Sequence, residues 1–323
     1  MKKIVVTGAA GFIGSCLVHH FQKSQGFQVI EVDDFHQVHK FRNYTDYPVF
    51  LRIERTQFLD WFSINGEGID AVLHIGARTN TTEQDLTILN DLNVHFSQQI
   101  WSLCTKFKIP LIYASSAATY GNGEFGYSDD HSLLSNLQPL NPYGNSKHTF
   151  DLWALSRTNC PPFWAGLKFF NVYGPNEYHK GRMASVVFHA FHQIQATGSM
   201  RLFRSHREDI EDGYQSRDFI YVKDLIKVIE FLMKGQANSA IYNLGSGMAN
   251  PFYRLATATF DALSMPINIS FIDTPEDIRG NYQYYTCADM SKLRENGYSE
   301  AFYSIEDGIH DYVTRYLIET KYY

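Results

Sequence analysis

The sequence predicts an α/β protein: a doubly wound parallel sheet carrying a second, smaller α/β lobe. Three observations lead there. Short, continuously apolar runs alternate with longer helical patterns through the first half of the chain. Strands buried on both faces read this way, and strand–helix alternation gives right-handed crossovers and a parallel sheet. A glycine triplet, Gly8-x-x-Gly11-x-x-Gly14, follows the first run and opens the first helical pattern. After residue 175 the rhythm changes to polar stretches and isolated short elements.

The expected strands of the first half are "KIVVT" (3–7), "QVIEV" (28–32), "DAVLHIG" (70–76), "PLIYAS" (110–115) and "AGLKFFNVYG" (165–174). Helical patterns fall between several of them, at 86–107 and 143–157. Beyond 175 we expect a helix over about 183–196 and the polar stretch "RSHREDIEDGYQSRD" (204–218). A strand "FIYV" (219–222), a helix over about 224–234 and a buried strand "IYNLG" (241–245) follow. An amphipathic helix near 305–320 ends the pattern. These elements suggest a main domain of residues 1–173 plus about 219–248. A second, smaller lobe then takes about 174–218 plus 249–323.

With 323 residues and 44% hydrophobic composition the chain can bury a large core. Its net charge of −6, with no long basic run, argues against a nucleic-acid binder. The four cysteines (Cys16, Cys104, Cys160, Cys287) show no CxxC spacing, so neither a metal site nor a disulfide framework is expected. Reduced thiols in a cytoplasmic protein are the expectation. The start, "MKKIVVTGAAGFIGSC", has the outline of a secretory signal, but such a segment has no need of three spaced glycines. We read it as folded structure, and expect no membrane association.

The glycine triplet has a definite physical use. Glycines let the backbone turn tightly and approach a pyrophosphate, and the following helix N-terminus offers free N–H groups. A lone triplet is weak; the strand before it and the helix after it strengthen the reading. Asp33 ends the second strand, nineteen residues after Gly14, where a carboxylate can bind an adenosine ribose. On that rule alone NAD is favoured, while Lys40, seven residues further on, can offset the charge.

Tyr143 and Lys147 in "YGNSK" stand at i, i+4, on one face of a helix. An ammonium there lowers the pKa of a phenol and helps it act as a base. With 21 tyrosines in the chain such a pair arises about once by chance. The preceding strand supplies the context: "YASSAATYG" puts Ser115, Ser116 and Thr119 at the carboxyl edge of the sheet, where open α/β sheets bind ligands. Ser116 can hydrogen-bond the reacting oxygen. The segment "FNVYGPNEYHKGRMASVVFH" (170–189) places His179, Lys180 and Arg182 where a strand gives way to a helix.

Glycine loop, serine strand and Tyr-x-x-x-Lys, in this order, resemble the extended short-chain dehydrogenase/reductases, which have a Rossmann fold. More closely, "YASSAATYG", "FFNVYGPNEYHKGRMASVVFH", "DFIYVKD", "YNLGSG" and "RGNYQYYTCADM" are similar to the ADP-glyceromanno-heptose 6-epimerases. The likeness spans essentially the whole chain. It implies an isomerase that inverts C6 of ADP-D-glycero-β-D-manno-heptose to the L-glycero epimer with bound NADP, for the lipopolysaccharide inner core. Hydride leaves one face and returns to the other, so the oxidised sugar must turn and meet two different acid/base groups. The resemblance makes Tyr143 one and Lys180 the other. A neutral Lys180 would need burial beside a cation such as Lys147; His179 is read as structural.

The resemblance further implies cofactor contacts from Gly8, Gly11, Phe12, Ile13, Gly14, Asp33, Asp34, Lys40, Ile75, Gly76, Ala77, Arg78, Thr79, Asn93, Lys147, Val172 and Lys180. Substrate contacts are implied for Ser116, Asn171, Arg182, His189, Phe203, Arg204, Ser205, His206, Arg217 and Tyr282. Arg217 and Arg204 suit a diphosphate, although a surface salt bridge serves Arg204 equally well. NADP is expected on the resemblance, with NAD as the alternative, and a homo-oligomer, a pentamer by the same likeness.

Two departures touch the substrate lobe. Arg182 stands where the family has a small hydroxyl residue, and the loop "RSHREDIEDGYQSRDF" is longer than the family's. Rival readings are another nucleotide-sugar epimerase, dehydratase or reductase, and a non-catalytic NADP-binding sensor or scaffold. A dehydratase would want an acidic pair where this chain has Ala117 and Ala118. The presence of both Tyr143 and Lys147 weighs against the sensor.

Overall fold

The computed structural model describes residues 1–323 apart from Asp46, Gln236, Gly280 and Asn281. Seven strands form one sheet: β1 (Lys2–Thr7), β2 (Phe27–Asp33), β3 (Leu51–Glu54), β4 (Ala71–His74), β5 (Leu111–Ser116), β6 (Trp164–Phe169) and β10 (Ala240–Leu244). Their order is β10-β6-β5-β4-β1-β2-β3, and every pairing is parallel. Helices connect them, so the central strands are buried on both faces; Ile4, Val5, Val6, Val72, Leu73, Leu111, Ala165 and Leu167 show no exposure. The order reverses between β1 and β4, opening a crevice at their carboxyl ends.

The second lobe contains two small sheets. β7 (Asn171–Tyr173), β9 (Ser216–Tyr221) and β11 (Ala249–Pro251) form one, with β9 in the middle; β8 (Met200–Phe203) pairs parallel with β12 (Ile269–Ile272). Of these, the sequence marks β9, as 219–222, and β7, as the end of the run 165–174. The expected single strand over 165–174 is two strands in different sheets. Phe170 N donates to Leu244 O, and Val172 N turns back to Phe170 O, so the chain leaves the main sheet there.

The helix expected over 86–107 is present but not uniformly α. Asp85 caps it by accepting from Thr87 N and Ile88 N, and Asn90–His95 forms a π-helical stretch before Phe96–Phe107 resumes the α form. The helix expected over 143–157 runs Pro142–Leu155. Pro142 suits the first turn, and the Asn141 side chain accepts from Gly144 N at 2.7 Å. The C-terminal helix runs Ile305–Tyr312 and continues as a π-helical turn to Leu317. Among the described residues no helix is long and apolar enough to cross a membrane.

Candidate active site

At the carboxyl end of β1 the glycines are sterically required. Gly8 has φ +71°, and a Cβ on it would lie 2.7 Å from Gly76 Cα. A Cβ on Gly14 would lie 2.0 Å from Gly8 O. Gly11 differs: its nearest obstacle is Gly8 O at 3.1 Å, and as N-cap of the Phe12–Lys23 helix it offers no side-chain acceptor. The first-turn N–H groups of that helix are therefore left to a ligand. Gly8, Gly11, Phe12, Ile13 and Gly14 line one cleft of about 580 Å³ with Asp33, Asp34, Lys40, Lys180 and the whole Ile75–Thr79 segment. An anionic dinucleotide fits this set of groups.

At the end of β2, Asp33 is buried and fully engaged. Its Oδ2 accepts from Ala10 N at 2.9 Å, and its Oδ1 accepts from Asp34 N at 2.7 Å and Lys40 Nζ at 3.1 Å. Asp34 accepts from Gln37 Nε2 at 2.8 Å, which with His36 N, Arg55 and Lys40 holds its carboxyl below the ordinary value. Gln37, His39 and Arg55 also line the cleft. Sequence reasoning missed these three, because no motif marks them; a basic residue opening the helix after β3 was the available clue for Arg55.

Asn93 does not line the cleft; it holds the loop that does. From the π-helical stretch it accepts from Arg78 N at 2.7 Å, donates to Arg78 O at 3.0 Å and reaches Ser146 Oγ at 2.9 Å. One amide thus joins the loop after β4 to the helix of Tyr143 and Lys147.

Tyr143 hydrogen-bonds Ser116, which itself caps the turn after β5 by accepting from Ala118 N at 3.1 Å. Burial pushes the phenol above its ordinary value, and the Ser116 bond works against that. The expected lowering by Lys147 is not what governs this phenol; burial is. Lys147 is buried, donates to Ala114 O at 2.8 Å, and is brought down to about 8 by burial, against the support of Asp151. Neither Lys147 nor Val172 lines the dinucleotide cleft.

Lys180 lies in a 3₁₀ segment, Tyr178–Met183, kinked at Gly181. Its ammonium stands 5.4 Å from the Phe12 ring centroid, over the start of the glycine-loop helix. Burial lowers its pKa, as expected; the partner is not a cation but Glu177, which acts the other way. His179 is held by Asn43 Nδ2 at 3.1 Å, and burial brings it down to about 4. Asn43 also donates to Ala10 O at 3.0 Å and Asn176 O at 3.1 Å, pinning the Lys180 segment to the glycine loop. Asn43 was not anticipated.

In the second lobe some expected substrate residues converge. The Phe203 and Tyr282 rings meet edge-on at 6.1 Å, and the Arg217 guanidinium lies 5.5 Å from the Tyr282 ring and 5.7 Å from Phe252. Arg217 is buried and donates to Ser216 O and Gln283 O; among the described residues no carboxylate pairs with it. His206 N donates to Tyr284 OH at 3.0 Å and Ser205 N to Asp212 at 2.8 Å. Arg204 is exposed and faces Asp212 at 3.7 Å and Asp273 at 3.6 Å, an ordinary surface pairing. Asn171, Arg182 and His189 are exposed, with His189 against the Phe188 ring. Gly280 and Asn281 of the 279–290 motif lie outside the described residues.

Comparison with known proteins gives a consistent result. Residues 4–245 match the NAD dependent epimerase/dehydratase family. The chain is 44% identical to the ADP-L-glycero-D-manno-heptose-6-epimerase of Fusobacterium nucleatum, with 99% of each chain covered. It is also 44% identical to the protein of that name from Nitratidesulfovibrio vulgaris, over 97% of each. Among solved structures, the Helicobacter pylori ADP-L-glycero-D-manno-heptose-6-epimerase superposes with a TM-score of 0.82 at 28% identity, covering 97% of this chain and 96% of that one.

Proposed function

The chain belongs to the NAD dependent epimerase/dehydratase family, and from that premise we propose that it is an isomerase inverting C6 of ADP-D-glycero-β-D-manno-heptose. When bound, the nicotinamide dinucleotide supplies the redox chemistry, taking a hydride from the sugar and giving it back. The chain's own residues do the rest. Gly8, Gly11 and Gly14 admit the pyrophosphate, and the uncapped helix start receives its charge. Lys40 and Arg55 offer two cations at the adenosine end, which supports NADP over NAD. Tyr143, positioned by Ser116, exchanges a proton with the C6 oxygen in one orientation of the sugar; Lys180, its ammonium destabilised by burial, does so in the other.

The single observation that carries the two-base reading is Lys180 itself. It is a half-buried lysine, with its pKa lowered, opening on the same cleft as the glycine loop. The sugar nucleotide would occupy the lobe of about 174–218 plus 249–323, with the diphosphate on Arg217. A buried guanidinium without a carboxylate calls for an anion. Incubation with ADP-D-glycero-manno-heptose should yield the C6 epimer with no net change in cofactor redox state. Stoichiometric reduced cofactor without epimer would mark a dehydrogenase instead. Nucleotide released on denaturation should be NADP(H); NAD alone would overturn that part.

A further inference from the structure

Behind the face carrying Tyr143 and Lys147 lies a buried ion pair that the proposed chemistry does not use. Asp151 continues the i, i+4 row of Tyr143 and Lys147 along the Pro142–Leu155 helix. Its Oδ2 accepts from Lys168 Nζ at 2.9 Å and Ser115 Oγ at 2.6 Å, and its Oδ1 accepts from Tyr113 OH at 3.2 Å. Both charged side chains are 0% exposed. Lys168, on β6, also donates to Thr119 Oγ1 at 2.6 Å, and Thr119 Oγ1 donates to Ser116 O at 2.8 Å. The contacts therefore run from the helix of Tyr143, through β6, to the serine that holds Tyr143.

Stability is a poor reason for such a pair. The desolvation of two buried ions roughly offsets their attraction, and apolar residues of the same size commonly serve as well. Its position gives a better one. Asp151 raises the pKa of both Lys147 and Tyr143, and the ammonium of Lys168, 2.9 Å from its carboxylate, carries the opposing charge. We propose that Asp151 and Lys168 are positioning residues for Tyr143 and Lys147, keeping the net charge behind them at zero and fixing Ser116 against the phenol. This rests on reading Tyr143 and Lys147 as acid/base partners.

Other titratable groups around Lys147 leave that balance to the pair. On its own helix stand Tyr143 and His148, and burial lowers the pKa of His148. From β4 comes His74, held between Thr7 at 2.7 Å and Ser97 at 2.9 Å and brought down to about 3 by burial, then by Lys147. From β5 and the turn after it come Tyr113 and Tyr120, whose phenols burial raises. Asp91 and His95, on the π-helical stretch packed against this helix, are exposed and pair with each other at 3.3 Å.

The test is the titration of Lys147 in holoenzyme carrying isotope-labelled lysine, its resonance assigned against Lys147→Met. In Asp151→Asn the midpoint should fall by about one pH unit, and in Lys168→Met rise by about one. The double variant should return close to wild type, and the basic limb of kcat should move in the same order. Where Lys168→Met does not fold, Lys168→Gln, which keeps a partner for Thr119 but no charge, carries the same expectation. Unmoved midpoints in the single variants, or a double variant further from wild type than either, would overturn the proposal and leave the pair a packing feature. No sugar is needed for the titration. If the protein fails to epimerise ADP-heptose yet the midpoints shift in this order, the substrate assignment falls and the positioning role stands.

Discussion

Lys40 donates to Asp33 across 3.1 Å, at the end of β2 where the adenosine half of a dinucleotide would lie. The pair bears on the proposed preference for NADP, because Asp33 alone favours NAD. With Asp33 satisfied by Ala10 N and Asp34 N as well, its charge is spent inside the protein, and Arg55 adds a second cation to the cleft. Lys40→Ala should therefore weaken NADP binding by about 10–100-fold, the worth of a charged hydrogen bond, and weaken NAD much less. Calorimetry with both nucleotides on stripped protein checks it; equal losses would show that Lys40 serves the loop and not a phosphate.

Gly11 and Gly14 should fail differently. A Cβ at Gly14 has nowhere to go, 2.0 Å from Gly8 O, so Gly14→Ala should lose both stability, about 1–3 kcal/mol, and nucleotide binding. At Gly11, which lines the cleft, a Cβ meets Gly8 O at 3.1 Å, a contact that a shift of a few tenths of an ångström relieves. Gly11→Val should keep a thermal midpoint near wild type and lose the dinucleotide. Thermal melts with and without NADP separate the two, and a Gly11→Val protein still stabilised by NADP would contradict the assignment of the pyrophosphate site.

The main sheet was legible from sequence because its strands are buried on both faces and so written as unbroken apolar runs. β3, β8, β11 and β12 were not, being three or four residues long and mostly half-exposed. The break at Phe170 was invisible because Phe170 stays buried on both sides of the change of sheet. In the candidate site, the residues that sequence can mark are those set by local spacing: the glycines, Asp33, and Tyr143 with Lys147. Residues set by tertiary contact were not. Asn43 reaches Ala10 and Asn176 across 33 and 133 positions, and Arg55 enters the cleft from the helix after β3. The same limit explains Asn93, expected as a cofactor ligand and found bracing the loop at Arg78.

Tyr143→Phe and Lys180→Met should each reduce epimerisation by about 10²–10⁴-fold while the protein keeps its nucleotide. Lys180 stands over the Phe12 ring of the glycine-loop helix and supports none of the glycines by a hydrogen bond among the described residues, so its removal should leave the pyrophosphate cradle intact. A C6 aldehyde analogue sharpens the test, because dismutation of it can use one base at a time. In a single turnover each variant should then retain one half-reaction: oxidation of the hydrated aldehyde to the acid with reduction of NADP+ in one, and reduction of the aldehyde to the alcohol by added NADPH in the other. Near-normal epimerisation by Lys180→Met would reduce that lysine to a loop cation.

Activity and stability should respond to pH in opposite directions through Lys147. Its folded pKa is lowered to about 8, so the ammonium is present below that pH and lost as pH rises through it; kcat should decline there. The unfolded chain keeps its lysine protons to roughly pH 10.4, so between the two values the unfolded state binds more protons and rising pH favours folding at this residue. The stability difference between wild type and Lys147→Met should therefore shift in favour of wild type across that window. Denaturant melts at several pH values read it, and a difference that is flat with pH would mean that Lys147 is not depressed.

Arg217 should govern substrate affinity and not the chemical step. Its guanidinium is buried between the Tyr282 and Phe252 rings, donates to two backbone carbonyls, and meets no carboxylate among the described residues. Burial lowers its pKa, the sign of a charge held at a cost until an anion arrives. Arg217→Lys keeps the charge but loses the planar fork that grips two phosphate oxygens and stacks on the rings. KM for the ADP-sugar should rise about 10–100-fold, with kcat at saturation changed far less and the bound dinucleotide retained. Steady-state kinetics across sugar concentrations decide it: a fall in kcat with unchanged KM would place Arg217 beside the reacting carbon and move the diphosphate elsewhere in the lobe.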